Sequence, residues 1–349
     1  MNTINRNSIF IFASIIVLSS CKKDNVGSTT EGFTDGVFVV NEGNYLGNNA
    51  SISYINEQDV LTQDPYSTVN GNTVGDVLQC FVHAGDKAYA VMNGSEKVVG
   101  IDMNSFSRVA EFTGLEYPRY AAVYGSNTLL VSDGFTNGRL VVFDRSSNQA
   151  LQSVPVGIGP ERVFVYGNRV FVLNAASTTV SVIDPSNWSV AFTIALSDHP
   201  SDMVADAQGN LWFLCSGETL YDANWNIIGH TDAQMHRVDG TTLEWQQSWV
   251  VGTGGQHPRD LERSPNGETL YYTGNQLMRF SSDFGPDDAE VLVDGGFYAI
   301  TVDQSSGDLW AVLPSDYINR STIRRYSASG SLEKTFQAGM VSNAVVLRP

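Results

Sequence analysis

Arginine, histidine and tyrosine recur at one kind of place along this chain, the joints between successive apolar runs. Tyr117-Pro118-Arg119, Glu161-Arg162, His199-Pro200, His257-Pro258-Arg259 and Phe297-Tyr298 are the cases, with Asp76 at an earlier joint. Guanidinium, imidazole and phenol groups donate hydrogen bonds to amide or phosphate oxygens. A second set lies in the loops that follow the apolar runs. It comprises Asn44 and Tyr45, Asn93–Ser95, Phe135, Asn174–Ser177, Trp225 in the long Gly217–Gln234 segment, and Tyr317. Their rings offer flat apolar contact to a large ligand. Two readings stay open for each residue: ligand contact, or turn chemistry copied from unit to unit.

Other chemistries lack a foothold. His199 and His257 occupy equivalent joints, so repetition explains them, and no acid–histidine spacing completes a metal site. No C-x-x-C pair exists for a metal or haem. Cys80 and Cys215 sit in apolar strings (LQCFV, WFLCS) and are expected to stay unpaired. Nucleophile-elbow and P-loop motifs are missing, and Val156-Gly157-Ile158-Gly159 joins two strands as a turn. The expectation is a binding protein with no catalytic residue, metal or cofactor. A formal charge of −17 argues against a nucleic-acid partner.

The elements that must position these residues repeat. DKAYAVMNGSEKVVGIDMNSFSRVAEFTGL (Asp86–Leu115), NTLLVSDGFTNGRLVVFDRSSNQALQSVPV (Asn127–Val156) and NRVFVLNAASTTVSVIDPSNWSVAFTIAL (Asn168–Leu196) share one plan. Each has an apolar strand, a polar loop, a second strand ending in Asp, a turn and a third strand. A further strand precedes each, as in RVFVYG (Arg162–Gly167). Joint prolines at 118, 160 and 200 set a period of about 40 residues, which matches propeller blades. The wider gap to Pro258 implies an insertion, Glu218–Ala233.

Second strands are expected at Val37–Val40, Ala88–Met92, Thr128–Ser132, Val170–Leu173, Leu211–Cys215, Thr269–Thr273 and Asp308–Leu313. The fold class is therefore all-β, a seven-bladed β-propeller of four-stranded antiparallel blades. The first unit lacks an inner strand, and NAVVL (Asn343–Leu347) has no blade of its own. Pairing the two closes the ring and removes both edges. The recurring turns at Asp102, Asp144 and Asp184 read as structural, with the carboxylate accepting from the backbone two residues on.

The N-terminus carries a different signal. Arg6, the apolar run Ser8–Leu18 and the string LSSC ending at Cys21 resemble a bacterial lipoprotein signal. The expected organisation is a signal peptide at 1–20, a lipidated Cys21 with a polar tether over 21–34, and the propeller at 35–349. The apolar run is too short to span a bilayer, so the lipid would supply the membrane anchor.

Strings such as VFVLNAASTTVSVID resemble YVTN-type propeller repeats. GVFVVNEGNYLGNNASISYIN (Gly36–Asn56) and the segment Gly75–Tyr120 are similar to YncE-like, DUF5074-type surface lipoproteins of Gram-negative bacteria. Some of these capture cobalamin and hand it to a TonB-dependent outer-membrane transporter. The resemblance implies a cell-surface lipoprotein of the outer membrane that binds a small-molecule nutrient, a corrinoid as first guess, on one face. An envelope adhesion or scaffold propeller and a propeller lactonase or lyase are the alternatives. The ligand set expected at the mouth is Asn44, Tyr45, Asp76, Arg119, Phe135, Arg162, His199, Trp225, His257, Arg259, Tyr298 and Tyr317.

Overall fold

Consecutive apolar residues in the second strand of each unit have a simple cause: both faces of that strand are buried. In Val37–Asn41, Phe38 and Val40 pack toward the next unit, while Val37 and Val39 pack toward the preceding one. Every adjacent pair of blades encloses one apolar cluster in this way, and there are seven such clusters. Each fully buried Phe, Leu or Ile contributes roughly 1.5–3 kcal/mol, so the ring is held by many equivalent interfaces.

The structure, a computed structural model, describes residues 32–33 and 36–347. The expected signal segment 1–20, Cys21 and all of the tether except Gly32 and Phe33 lie outside the described residues. Seven four-stranded antiparallel sheets make the propeller. The observed second strands are Val37–Asn41, Lys87–Met92, Thr128–Asp133, Arg169–Asn174, Asn210–Cys215, Thr269–Thr273 and Leu309–Val312. Their ends fall within one residue of the expected positions.

Ring closure is as the orphan strand required. Ser342–Leu347 pairs antiparallel with Val37–Asn41 and forms the inner strand of blade one. The ion pair of Arg325 with Asp59 (2.8 Å) adds a clasp between blades seven and one. The short helix Pro65–Asn70, capped by Asp64 on the amide of Ser67, was not expected. It buries Tyr66 beside blade one, whose outer strand is only Leu61–Thr62.

The inner strands line the axis. They are Ser342–Leu347, Leu78–Ala84, Ala121–Tyr124, Pro160–Tyr166, Pro200–Ala205, Arg259–Arg263 and Ala299–Val302, for blades one to seven. In blades one, two, four, five and six the pairing slips directly after the first residue. Such bulges re-aim side chains next to functional sites. Here they fall at Asn343, Gln79, Glu161–Arg162, Ser201 and Asp260. The joint residue before the strand is left-handed at Val77, His199 and Val341 (φ 53°, 59° and 53°) and at Gly159 (φ 60°). Three non-glycine residues in this region mark a turn that the fold imposes.

The recurring Asp turns are structural. Asp102, Asp144 and Asp184 accept from the amides of Asn104, Ser146 and Ser186 at 3.1, 2.7 and 2.8 Å. Cys80 and Cys215 are free thiols in blades two and five. Burial pushes the Cys215 thiol up to about 12.

Candidate functional site

Because every inner strand starts at the same end of the ring, the residue after the joint turn reaches the axis from each blade. Gln79, Arg119, Glu161, Ser201, Arg259, Tyr298 and Asn343 all line one axial cavity of about 1650 Å³. The entry of each strand therefore supplies one lining side chain, and in blades one, two, four and five that residue stands in the bulge.

These side chains form a polar belt that crosses blade boundaries. Asn343 donates to the carboxylate of Glu42 (2.9 Å) and to the carbonyl of Gln79 (3.0 Å). Arg119 donates to Gln79 Oε1 (2.7 Å) and Glu161 Oε1 (2.8 Å), tying blades two, three and four. Arg162 pairs with Asp260 and lies 3.6 Å from Asp202, reaching blades five and six. The Asp202 carboxylate also accepts the amide of Leu261 (2.9 Å), and Asp260 accepts that of Ile300 (2.9 Å) on blade seven. Thr301 donates to the carbonyl of Val345 (2.8 Å) and completes the circuit.

Burial governs the electrostatics of the belt. Removal from bulk water raises the carboxyls of Glu161 and Glu42, against the opposing pull of Arg119. Asp202 is raised by burial despite Arg162, and Glu262 by burial together with the charges of Asp202 and Asp260. Two arginines thus answer several carboxylates, which is the arrangement that makes a buried charge tolerable.

Blades five and six are different. His257 donates from Nδ1 to the carbonyl of Ser216 (2.8 Å), which leaves Nε2 to accept from Thr219 Oγ1 (3.0 Å). Thr219 Oγ1 also meets His230 Nδ1 (3.2 Å). These contacts fasten the inserted hairpin, Thr219–Tyr221 paired with Ile227–His230, to the mouth. A Cβ on Gly255 would stand 2.8 Å from the His230 ring, so the hairpin leans closely on the joint into blade six. At its tip Asp222 accepts the amides of Asn224 and Asn226, and Trp225 takes a left-handed conformation (φ 65°). His199 faces the same lumen. Burial lowers its pKa, and so do the charges of Arg259 and His257. Arg259 stacks its guanidinium over the Tyr298 ring, 5.0 Å from the centroid.

Of the expected ligand set, Arg119, Arg162, His199, His257, Arg259 and Tyr298 line the cavity. Tyr45, Phe135, Trp225 and Tyr317 do not line it. They stand on exposed loops, with Trp225 82% and Tyr317 64% accessible. Asn44 lies in the blade-one loop, where its amide donates to the Asn49 side chain (2.8 Å). Asp76 is buried and accepts the amides of Leu46 (2.9 Å) and Asn48 (3.2 Å), so it holds that loop in shape.

Sequence reasoning passed over Gln79, Asp202, Asp260, Glu262 and Asn343. A signal for Gln79 and Asn343 was present: each stands two positions past a joint residue, as Arg119 does. Among the described residues no group of three or more His, Cys, Asp or Glu is arranged to hold a metal ion.

Solved structures with similar folds are distant in sequence. A quinonprotein alcohol dehydrogenase-like protein from Bacteroides thetaiotaomicron superposes with TM-score 0.69 at 14% identity, over 90% of this chain and 79% of that one. Kuenenia stuttgartiensis hydrazine synthase gives 0.61 at 13% identity, over 89% and 98%. The β-propeller domain of Myceliophteria thermophila Cps50 (Swd1) gives 0.56 at 13%, over 74% and 86%. At these identities the likeness is one of fold. No curated protein matches the sequence. A family model described as a domain of unknown function, DUF5074, matches residues 35–338, and the chain belongs to that family.

Proposed function

We propose that this protein is an outer-membrane, cell-surface lipoprotein that captures a nutrient at the mouth of its propeller and passes it to an outer-membrane transporter. The observation that carries the reading is the cavity: about 1650 Å³, lined by polar groups from all seven blades. That exceeds the roughly 300–1,000 Å³ of ordinary small-molecule pockets and suits a large polar ligand. A corrinoid is the first guess.

The surroundings support capture followed by hand-off. Tyr45, Leu46, Phe135, Trp225, Tyr317 and Ile318 are all exposed on loops at the mouth end. Exposed apolar groups of this kind mark interaction surfaces. A partner transporter that seats on them would face the open cavity. The lumen carboxylates Glu161, Asp202 and Asp260 are engaged with arginines or backbone amides, which favours binding over acid–base catalysis.

Purified protein is to be titrated by calorimetry with cyanocobalamin, haem, a ferric siderophore and neutral glycans. Saturable one-to-one binding of the corrinoid is expected. Tyr298→Ala, in the lining, should weaken it by about 2 kcal/mol, as loss of an aromatic anchor does, whereas Trp225→Ala, outside the lining, should leave it unchanged. Failure of all four classes to bind would overturn the capture reading. The anchor is tested separately: Cys21→Ser should move the protein from the membrane pellet to the soluble fraction, and retention in the pellet would contradict lipidation.

A further inference from the structure

We propose that Arg259 and His199, flanked by Tyr298, form a subsite for an oxyanion, either a phosphate ester or a carboxylate, on the molecule that enters the mouth. The inference rests on reading the mouth as a binding site, and it specifies the chemistry of one part of the ligand.

Three arginines stand at the entries of inner strands. Arg119 is neutralised by Glu161, and Arg162 by Asp260 and Asp202. Arg259 occupies the position in blade six that Arg119 occupies in blade three. Among the described residues, however, no carboxylate lies within ion-pair distance of it. Its contacts are with Tyr298, whose ring face orients the guanidinium and whose hydroxyl takes one of its hydrogen bonds, and the rest of the N–H fork has no acceptor among the described residues. In a chain of formal charge −17, an unanswered arginine at the axis is a departure from the surrounding pattern.

His199 makes a second open position. Among the described residues neither of its ring nitrogens has a hydrogen-bond partner, although its neighbour His257 is fixed on both sides by Ser216 and Thr219. Burial and the nearby charge of Arg259 lower the pKa of His199, and the neutral ring carries one N–H donor. An arginine fork without a carboxylate partner and an imidazole N–H without an acceptor, both lining one lumen, are complementary to an oxyanion. The left-handed backbone at His199 (φ 59°) is the joint turn that brings this ring to the lumen.

The test uses inorganic phosphate and acetate as separate probes, titrated calorimetrically into the purified protein at low ionic strength. Saturable binding of at least one anion is expected, weakened at least tenfold by Arg259→Gln. Binding of phosphate alone identifies a phosphate-ester site, and comparable binding of acetate a carboxylate site. Arg259→Lys should retain part of the affinity, which separates charge from folding. Arg279→Gln, on the outer part of the same blade and paired with Glu290, should change nothing. Absence of saturable binding of both anions, or equal affinity in wild type and Arg259→Gln, would overturn the proposal. Anion binding without corrinoid binding would sink the corrinoid guess and leave this subsite standing; corrinoid binding that ignores Arg259→Gln would sink the subsite alone.

Discussion

Arg119 on blade three and Arg259 on blade six occupy corresponding stations, each directly after a joint proline, with Arg162 of blade four and His199 of blade five lining the same lumen beside them. Arg119 and Arg162 form a closed pair: each guanidinium crosses a blade boundary to a carboxylate. The second pair is open: Arg259 rests on Tyr298 with no carboxylate partner, and the His199 ring has no hydrogen-bond partner among the described residues. The same backbone position thus serves two ends. Where a neighbouring blade supplies an acid, the arginine fastens the ring; where it does not, the donor is left for something else. The difference lies in the residue opposite, not in the strand that carries the arginine.

The largest way to break this contrast is Arg162→Ala. It leaves Asp202 and Asp260 in the lumen wall without their cation and should cost about 3 kcal/mol, read from urea unfolding. A loss under about 1 kcal/mol would mean that lumen water screens the pair and that the two sides do not differ in kind.

Histidines sharpen the contrast through pH. His236 is buried within blade five between Ser248 and Ser197 (3.0 Å each), and burial pushes its pKa down to about 4. Its folded pKa lies below the unfolded value near 6.5, so the unfolded chain binds more protons as pH falls. The stability that neutral His236 contributes is complete above pH 6.5. It should fall by about 2 kcal/mol by pH 5. The raised carboxyls Asp202 and Glu262 work in the opposite sense, since acidification protonates them first in the folded state. His236→Gln should therefore lose less stability between pH 7 and pH 5 than wild type, measured by melting temperature. Parallel curves would refute the assignment.

Smaller effects separate the two arginine stations directly. Arg119→Gln deprives Glu161 of its cation and Gln79 of its donor, and should cost about 1 kcal/mol. Arg259→Gln should change stability by less than about 0.5 kcal/mol, because no carboxylate is orphaned. Equal losses for the two variants would show that the closed and open stations are energetically the same.

Much of this was legible in the chain, and the reasons are local. Unbroken apolar runs such as VFVVN and RVFVLN record strands buried on both faces, and the spacing of joint prolines records the blade. The orphan NAVVL at one end and the missing inner strand at the other required each other, because neither edge is stable alone. Part of the candidate site could be read as well. Arg119, Arg162, His199, His257, Arg259 and Tyr298 follow joints, and joints open on the axis.

The exposed aromatics show where such reading stops. Tyr45, Phe135, Trp225 and Tyr317 were grouped with the lining because their loops belong to the same end of the ring. Whether a loop side chain bends into the cavity or stands outside it depends on the turn that carries it. Trp225 sits at a hairpin tip whose Asp222 turn points it outward. Asp76 had the composition of a ligand residue and serves as the anchor of a loop, because two backbone amides reach it first.

By itself the sequence determined the number of blades, the closure of the ring and which positions border the axis, since these follow from periodicity and from the demand that every strand edge be paired. Only the tertiary structure decided which of those border residues answer one another. Glu161 meets Arg119 and Asp260 meets Arg162 across blade boundaries, from positions 42 and 98 residues apart. Single-residue bulges at Gln79, Ser201, Asp260 and Asn343 aim the side chains, and a two-residue alternation cannot reveal them. Pairing of charges depends on angles and distances fixed by the closed ring, and that is why Arg259 could be placed from the chain while its lack of a partner could not.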